Sequence, residues 1–258
     1  MEEGQRIKDA VRKQYAKIAL GGNSGCACMP GECCTADNSF LPEKATEAVG
    51  YDSGEISSIP KESILGVGCG APLNFANPTL GEIVVDLGSG AGIDAFLSAK
   101  RVGALGRVIG IDMTDEMLEK SIRIAKTEGY GNVEFRKGDI EQHIPVSDGT
   151  ADLVISNCVI NLTNDKQKAF EQAHRVLKRG GRMVISDLVT DKQVKGIALS
   201  EEKWCSCIDG ALTKEAYLDS IRRAGFAQVE VLQERVYLEG EQVDGRKISS
   251  LIVRAIKP

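Results

Sequence analysis

Two acids and three glycines are the first residues in this chain whose types and spacing suggest chemistry. Asp86 closes the apolar run Ile83-Val84-Val85, and Gly88, Gly90 and Gly92 follow at alternate positions, with Leu87, Ser89 and Ala91 between them. A glycine carries no Cβ, so such a turn lets a ligand lie directly against the backbone. The spacing is not the G-x-G-x-x-G of a dinucleotide site, whose helix N-terminus receives a pyrophosphate. A carboxylate immediately before the turn repels phosphate and suits a cationic or hydroxyl-bearing ligand. Asp112, ending the next apolar run Val108-Ile109-Gly110-Ile111, offers two oxygens to the two hydroxyls of a ribose.

Eight cysteines are the second chemical feature. Cys26, Cys28, Cys33 and Cys34 lie in a glycine-rich stretch without periodicity, which reads as a loop. Their C-x-C and C-C spacings differ from the C-x₂₋₄-C pairs of common zinc modules, so a redox or metal-handling segment, a true metal site and no function all stay open. Cys69 sits between Gly68 and Gly70, which leave its sulfur accessible, and Cys158 follows the apolar run Leu153-Val154-Ile155. Cys205 and Cys207 share the segment Trp204-Cys205-Ser206-Cys207-Ile208-Asp209-Gly210-Ala211-Leu212. No run of about 18 apolar residues is present, and Met1-Glu2-Glu3-Gly4-Gln5-Arg6 lacks the basic start and apolar core of a signal peptide. The expected location is therefore the cytoplasm, whose reducing poise keeps thiols free for soft metals, redox chemistry or nucleophilic attack. No membrane association is expected, and a net charge of −5 makes no electrostatic case for nucleic acid.

Alternating strands and helices must position these groups. The pattern predicts strands at 82–87, 107–112, 133–137, 151–156 and 182–187, and helices at 91–102, 114–128 and 166–177. Thr114 stands where an N-cap belongs, and Lys178-Arg179-Gly180-Gly181 reads as the stop of the third helix. Strands alternating with helices imply an α/β fold, a doubly wound sheet that binds ligands beyond the C-terminal ends of its strands. Asp86, Asp112, Asp139 and Cys158 all fall at or just past such ends. Upstream, Ile7, Val11, Tyr15 and Ile18 mark an amphipathic helix over 5–18, and residues 41–66 read as a connector broken at Tyr51 and Ile59-Pro60. Downstream, a helix over 213–224 and strands near 228–234 and 248–256 complete the chain. The chain thus divides into 1–65, an N-terminal helix and Cys-rich segment; 66–190, the ligand-binding core; and 191–258, a C-terminal α+β extension.

An acid, a glycine-rich turn and a second acid after strand two form an arrangement that resembles S-adenosylmethionine-dependent methyltransferases. The resemblance implies a Rossmann-like class I methyltransferase sheet with S-adenosyl-L-methionine as cofactor. It places Asp86, Gly88, Ser89, Gly90, Asp112 and Asn157 at that cofactor, Met113 and Ile140 around its adenine, and Asp139 at the adenine amino group. Such folds often carry a helix over the cofactor, which makes Tyr15 a candidate contact.

A narrower likeness follows from Ile109-Gly110-Ile111-Asp112-Met113-Thr114, Ser156-Asn157-Cys158-Val159-Ile160-Asn161-Leu162, Arg175-Val176-Leu177-Lys178-Arg179-Gly180-Gly181 and Ser186-Asp187, together with the surroundings of Cys69 and Cys207. Over roughly residues 60–225 the chain is similar to arsenite methyltransferases. That resemblance implies that Cys69, Cys158 and Cys207 bind trivalent arsenic, with Cys207 preferred to Cys205 because it leads into Gly210-Ala211-Leu212. Asp209, where the family usually has glycine or serine, and the extra thiol of Cys205 are departures that bear on the acceptor pocket. A further family cysteine serves a disulfide relay, and Cys26, Cys28, Cys33 and Cys34 are equal candidates for it.

Three thiolates satisfy the soft, pyramidal arsenic centre and leave its lone pair free to attack a sulfonium methyl without a general base. The implied activity is an arsenite methyltransferase of the EC 2.1.1 class acting in arsenic detoxification. Its substrates would be arsenite and methylated arsenicals, and its reductant a thiol of thioredoxin or glutathione type. Two readings compete: a methyltransferase of a quinone or sterol, and a thiol protein that sequesters metalloid without turnover.

Overall fold

The computed structural model describes residues 2–21, 41–193, 204–237 and 242–258. Helix α1 (Glu2–Ala19) buries Ile7, Val11 and Ile18, one stripe of a 3.6-residue repeat. Two short helices follow: α2 (Pro42–Ala48), opened by a proline whose missing N–H costs nothing there, and α3 (Ser53–Ser57), capped by the Asp52 carboxylate. A single turn, α4 (Leu73–Ala76), precedes the first strand. The chain then alternates through β1 (Ile83–Leu87), α5 (Ile93–Val102), β2 (Arg107–Asp112), α6 (Asp115–Thr127), β3 (Val133–Lys137), β4 (Ala151–Asn157), α7 (Lys166–Val176) and β5 (Leu177–Thr190). Helix α8 (Lys214–Arg223) and strands β6 (Ala227–Val236) and β7 (Ile248–Ile256) complete it.

Among the described residues the strands form one seven-stranded sheet in the order β3-β2-β1-β4-β5-β7-β6. The first five strands pair in parallel, and β7 runs antiparallel between β5 and β6. Successive side chains of a strand point to opposite faces. Val84, Val108 and Ile155 therefore pack with α5 and α6, whereas Val85, Ile109 and Val154 pack with Phe170 of α7 and Tyr217 of α8. Burial on both faces is why β1 reads as an unbroken apolar run rather than an alternating one. The strand order reverses between β1 and β4, and the crevice at such a reversal is where open α/β sheets bind ligands.

Two expectations are corrected. Helix α7 does stop at Val176, but Lys178–Gly181 form no loop after it: β5 begins at Leu177, opposite Ala151, and continues to Thr190, opposite Ile248. The antiparallel partner β7 extends the ladder well past the end of the parallel one, which no local pattern in β5 announces. Thr114 stands at the N-cap position of α6 but makes no cap bond. Its hydroxyl instead bonds the Asp112 side chain. Among the described residues no helix is long and apolar enough to cross a membrane.

Candidate active site

At the strand-order reversal lies a cavity that encloses, with its mouth, about 1140 Å³. Asp86, Gly88, Ser89, Gly90 and Asn157 line it from β1, its turn and β4; Asp112, Met113, Asp139 and Ile140 line it from the ends of β2 and β3. Gly88 and Gly90 hold φ values of +67° and +54°, the left-handed region that favours glycine. A Cβ on Gly88 would also stand 2.4 Å from Val159.

The electrostatics of this cavity are those of an anion-lined pocket. Asp86 is buried, and its Oδ2 has no hydrogen-bond partner among the described residues. Burial, then the neighbouring charges of Asp94 and Asp112, push its carboxyl well above the usual range. A buried, unsatisfied acceptor among like charges is stabilised by a cationic donor, so the site fits an ammonium-bearing ligand. Asp112 accepts the Thr114 N–H at 2.8 Å and the Gly90 N–H at 2.9 Å, and the Thr114 hydroxyl as well, bonds that together fix its orientation in the cavity wall.

Helix α1 covers part of this cavity through Lys8, Val11 and Tyr15. Lys8 donates to Asp139 Oδ2 at 2.7 Å and forms a second ion pair with Glu141. Asp139 also accepts the Glu141 N–H at 3.0 Å. The acid expected at an adenine amino group is thus held by a lysine that no motif announced. Tyr15 lines the same wall, and its hydroxyl donates to the Cys205 carbonyl at 3.5 Å.

Cys69, Cys158 and Cys207 arrive from the segment before α4, the end of β4 and the segment before α8, and meet in one buried cluster with Leu162, Leu188 and Ile208. Cys158 and Cys207 both hold positive φ, +59° and +64°, a conformation that non-glycine residues keep only where the surroundings over-determine it. Hydrogen bonds with Cys207 and Cys69, together with burial, push the Cys158 thiol well above its ordinary value. Burial likewise pushes Cys69 up. Two of the sulfurs also meet an oxygen. Cys207 donates to the Cys158 carbonyl at 3.1 Å, and the Cys69 sulfur lies 3.7 Å from the Ser186 hydroxyl. Among the described residues no three His, Cys, Asp or Glu side chains form a preset metal cage. The three thiols adjoin, and rotation of their side chains is what would bring them onto one centre.

Of the remaining cysteines, Cys205 is half-buried and in no disulfide, while Cys26, Cys28, Cys33 and Cys34 lie outside the described residues. Asp209 meets a cation: Arg246, in the turn before β7, donates to its Oδ1 at 2.9 Å, with the two side chains 8% and 1% exposed.

Sequence reasoning missed a buried chain of hydrogen bonds. Asn157 accepts the Cys69 N–H at 3.2 Å and donates to the Gly70 carbonyl at 2.7 Å and the Tyr51 hydroxyl at 2.9 Å. Tyr51 in turn lies 2.7 Å from Asp94 Oδ1 and 2.8 Å from Oδ2. Burial raises the Asp94 carboxyl to about 6. Asp94 stands in the first turn after the glycines, which is a signal of sorts. Tyr51 has none, because its partners come from remote segments.

A parallel sheet whose order reverses at β1, with a left-handed glycine turn and an acid at each of the first two strand ends, defines the Rossmann-like class I methyltransferase fold. The family described as "Methyltransferase domain" matches residues 79–225. Similar curated proteins are the arsenite methyltransferases of Halobacterium salinarum, 39% identical over 88% of this chain and 59% of that protein, and of Aquipseudomonas alcaligenes, 36% identical over 68% and 52%. A crystal structure of an arsenic (III) S-adenosylmethionine methyltransferase from Chlamydomonas reinhardtii superposes with a TM-score of 0.65, at 31% identity, over 83% of this chain and 73% of that one. The chain belongs to the arsenite methyltransferase family. It spans about half the length of the curated relatives it matches.

Proposed function

We propose that this protein transfers the methyl group of S-adenosyl-L-methionine to trivalent arsenic held by Cys69, Cys158 and Cys207. The reading rests on Cys158, which belongs to the buried thiol cluster and also lines the cavity where the donor would lie. No other described cysteine is in both. In this reading residues 66–190 hold the donor, while 1–65 and 191–258 build the acceptor side.

Asp86, with its unsatisfied oxygen, receives the ammonium group of the methionine moiety, and Asp112 receives the ribose hydroxyls. Gly88, Ser89 and Gly90 let the ligand lie along the turn. Met113 and Ile140 flank the adenine, Asp139 takes its amino group, and Asn157 closes the wall toward Cys69. The donor supplies an electrophilic sulfonium methyl. Arsenous acid is uncharged and condenses with three thiols, each S–H proton leaving in a water molecule, so high thiol pKa values are no obstacle to capture. Three As–S bonds leave one lone pair, and no residue has to remove a proton during transfer. The chain's contribution is alignment, which is worth roughly 7–11 kcal/mol in well-oriented systems.

Transfer of a methyl cation to the lone pair formally oxidises arsenic by two electrons, so a dithiol must return it to the trivalent state. A reductant of thioredoxin or glutathione type fills that role, with one of Cys26, Cys28, Cys33 or Cys34 as the relay thiol. The setting is cytoplasmic arsenic detoxification, with arsenite and methylated arsenicals as substrates.

The test is transfer of label from methyl-labelled S-adenosyl-L-methionine to arsenite in the presence of a dithiol. The native chain should yield methylated arsenic, and Cys158→Ser should reduce the rate by at least about a hundredfold, the scale on which loss of alignment acts. A native chain that binds the donor but labels no arsenic would refute the acceptor. Activity toward a quinone or sterol that survives serine at 69, 158 and 207 would establish the competing reading.

A further inference from the structure

We infer that Tyr51 is a positioning residue: the hydrogen-bonded chain Asp94–Tyr51–Asn157 links the donor cavity to the backbone of Cys69, so that filling the cavity orders the arsenic-binding thiol. The inference deepens the arsenic reading and rests on it.

A phenol has one proton. Tyr51, buried and within 2.8 Å of both Asp94 oxygens, donates that proton to the carboxylate, and its own oxygen is left to accept from Asn157 Nδ2. This settles which way the Asn157 amide points. Its NH₂ faces Tyr51 and the Gly70 carbonyl, and its oxygen faces the Cys69 N–H. A flipped amide would set oxygen against the Gly70 and Tyr51 oxygens and N–H against N–H at Cys69, losing all three hydrogen bonds. The polarity of the chain therefore runs in one direction, from the carboxylate to the thiol loop.

Both ends are placed to communicate. Asp94 lies within interaction range of Asp86, the acid assigned to the donor's ammonium group, and lines the same cavity. A cation beside this pair favours their ionised forms, and an ionised Asp94 is the stronger acceptor for Tyr51. At the other end Cys69 is gripped from two sides, since Ser250 donates to its carbonyl. The backbone packs closely at Gly70, where a Cβ would lie 2.3 Å from Ser186 Oγ. The Asn157 side chain thus ties the Cys69–Gly70 segment to Tyr51.

The chain contains one tryptophan, Trp204, and it packs against the thiol cluster. Its fluorescence should therefore report arsenite binding in this chain. S-adenosylhomocysteine serves as a non-reacting occupant of the donor cavity. In the native chain it should tighten arsenite binding on the order of 5-fold or more, and arsenite should tighten its binding, followed by calorimetry, by the same factor. Tyr51→Phe keeps the ring packing but removes the link. It should still bind each ligand alone, with the coupling factor reduced to about one.

Asp94→Asn, which keeps the shape but not the charge, should bind S-adenosylhomocysteine more weakly, because Asp94 lines that cavity, and should also bring the coupling factor to about one; it covers the case in which Tyr51→Phe folds poorly. A coupling factor of one in the native chain, or one unchanged in both variants, would overturn the link while leaving arsenic binding intact. If arsenite leaves Trp204 unaltered although S-adenosylhomocysteine binds, the arsenic reading itself fails and the link with it.

Discussion

Replacing Arg246 by methionine should lower the melting temperature substantially, and removing Asp209 as well should restore most of it. The guanidinium lies 2.9 Å from Asp209 with both side chains nearly excluded from solvent, and 3.3 Å from the more accessible Asp244. It also reaches the Ile208 carbonyl at 3.5 Å, one residue from Cys207. Methionine replaces the volume of the stem but leaves the Asp209 charge buried and no longer balanced by the guanidinium. Breaking a buried pair from one side costs about 3–5 kcal/mol. For a chain near this length each kcal/mol moves the melting temperature by about 2–4 °C, so Arg246→Met should melt about 6–20 °C lower.

Adding Asp209→Ser removes the opposing charge as well, and the double variant should recover the larger part of the loss, since replacing both partners of a buried pair is often close to neutral. Circular dichroism melts of the four proteins in one buffer give the coupling directly. If Arg246→Met melted within about 2 °C of the native chain, or the double variant lower than the single one, the pair would not be a stabilising clamp on the Cys207 segment.

Stability should fall as pH rises from about 4 to about 7. Burial lifts Asp187 to about 7 in the folded chain, against about 3.9 when unfolded, so the folded state binds more protons across that window. Urea unfolding at pH 5 and pH 8 should show this, and Asp187→Asn, which can still accept the Asn161 N–H and pair with the Tyr217 hydroxyl, should flatten the slope. An equal slope in native and variant would refute the assignment. Arsenite affinity should be nearly constant from pH 6 to 8, because Cys69 and Cys158 are raised and stay protonated there, and condensation with arsenous acid releases water rather than protons; a steep rise with pH, read by Trp204 fluorescence, would argue for thiolate capture. Lys8→Met should speed release of S-adenosylhomocysteine in stopped-flow by about 5-fold, the scale of a partly exposed ion pair of about 1 kcal/mol, because Lys8 ties α1 to Asp139 and Glu141 over the cavity. An unchanged release rate would mean that α1 does not gate this end.

Much of the fold was legible from the residues in order. β1 with its glycine turn, α5, β2, α6, β3 and α7 follow from apolar periodicity and punctuation by glycine, signals carried by neighbours along the chain. Asp86 and Asp112 were legible for the same reason, since an acid at the end of a buried strand has few structural reasons to be there. Where local pattern was silent, the reading went astray. Lys178–Gly181 look like a helix stop, and α7 does end at Val176, yet they lie within β5 because its pairing begins one residue later, with Leu177 opposite Ala151 of β4.

The sequence by itself determined the secondary elements, the α/β alternation and the placing of Asp86 and Asp112 at strand ends. These depend on the 3.6- and 2-residue repeats and on backbone freedom at glycine. Only the tertiary structure decided that Cys69, Cys158 and Cys207 share one buried cluster, that Asp209 is answered by Arg246, that Lys8 closes on Asp139, and that Tyr51 joins Asp94 to Asn157. In each case the partners come from segments far apart in the chain. Burial makes an unmatched charge or hydrogen-bonding group costly, and closure of the sheet and its covering helices sets which partner is within reach.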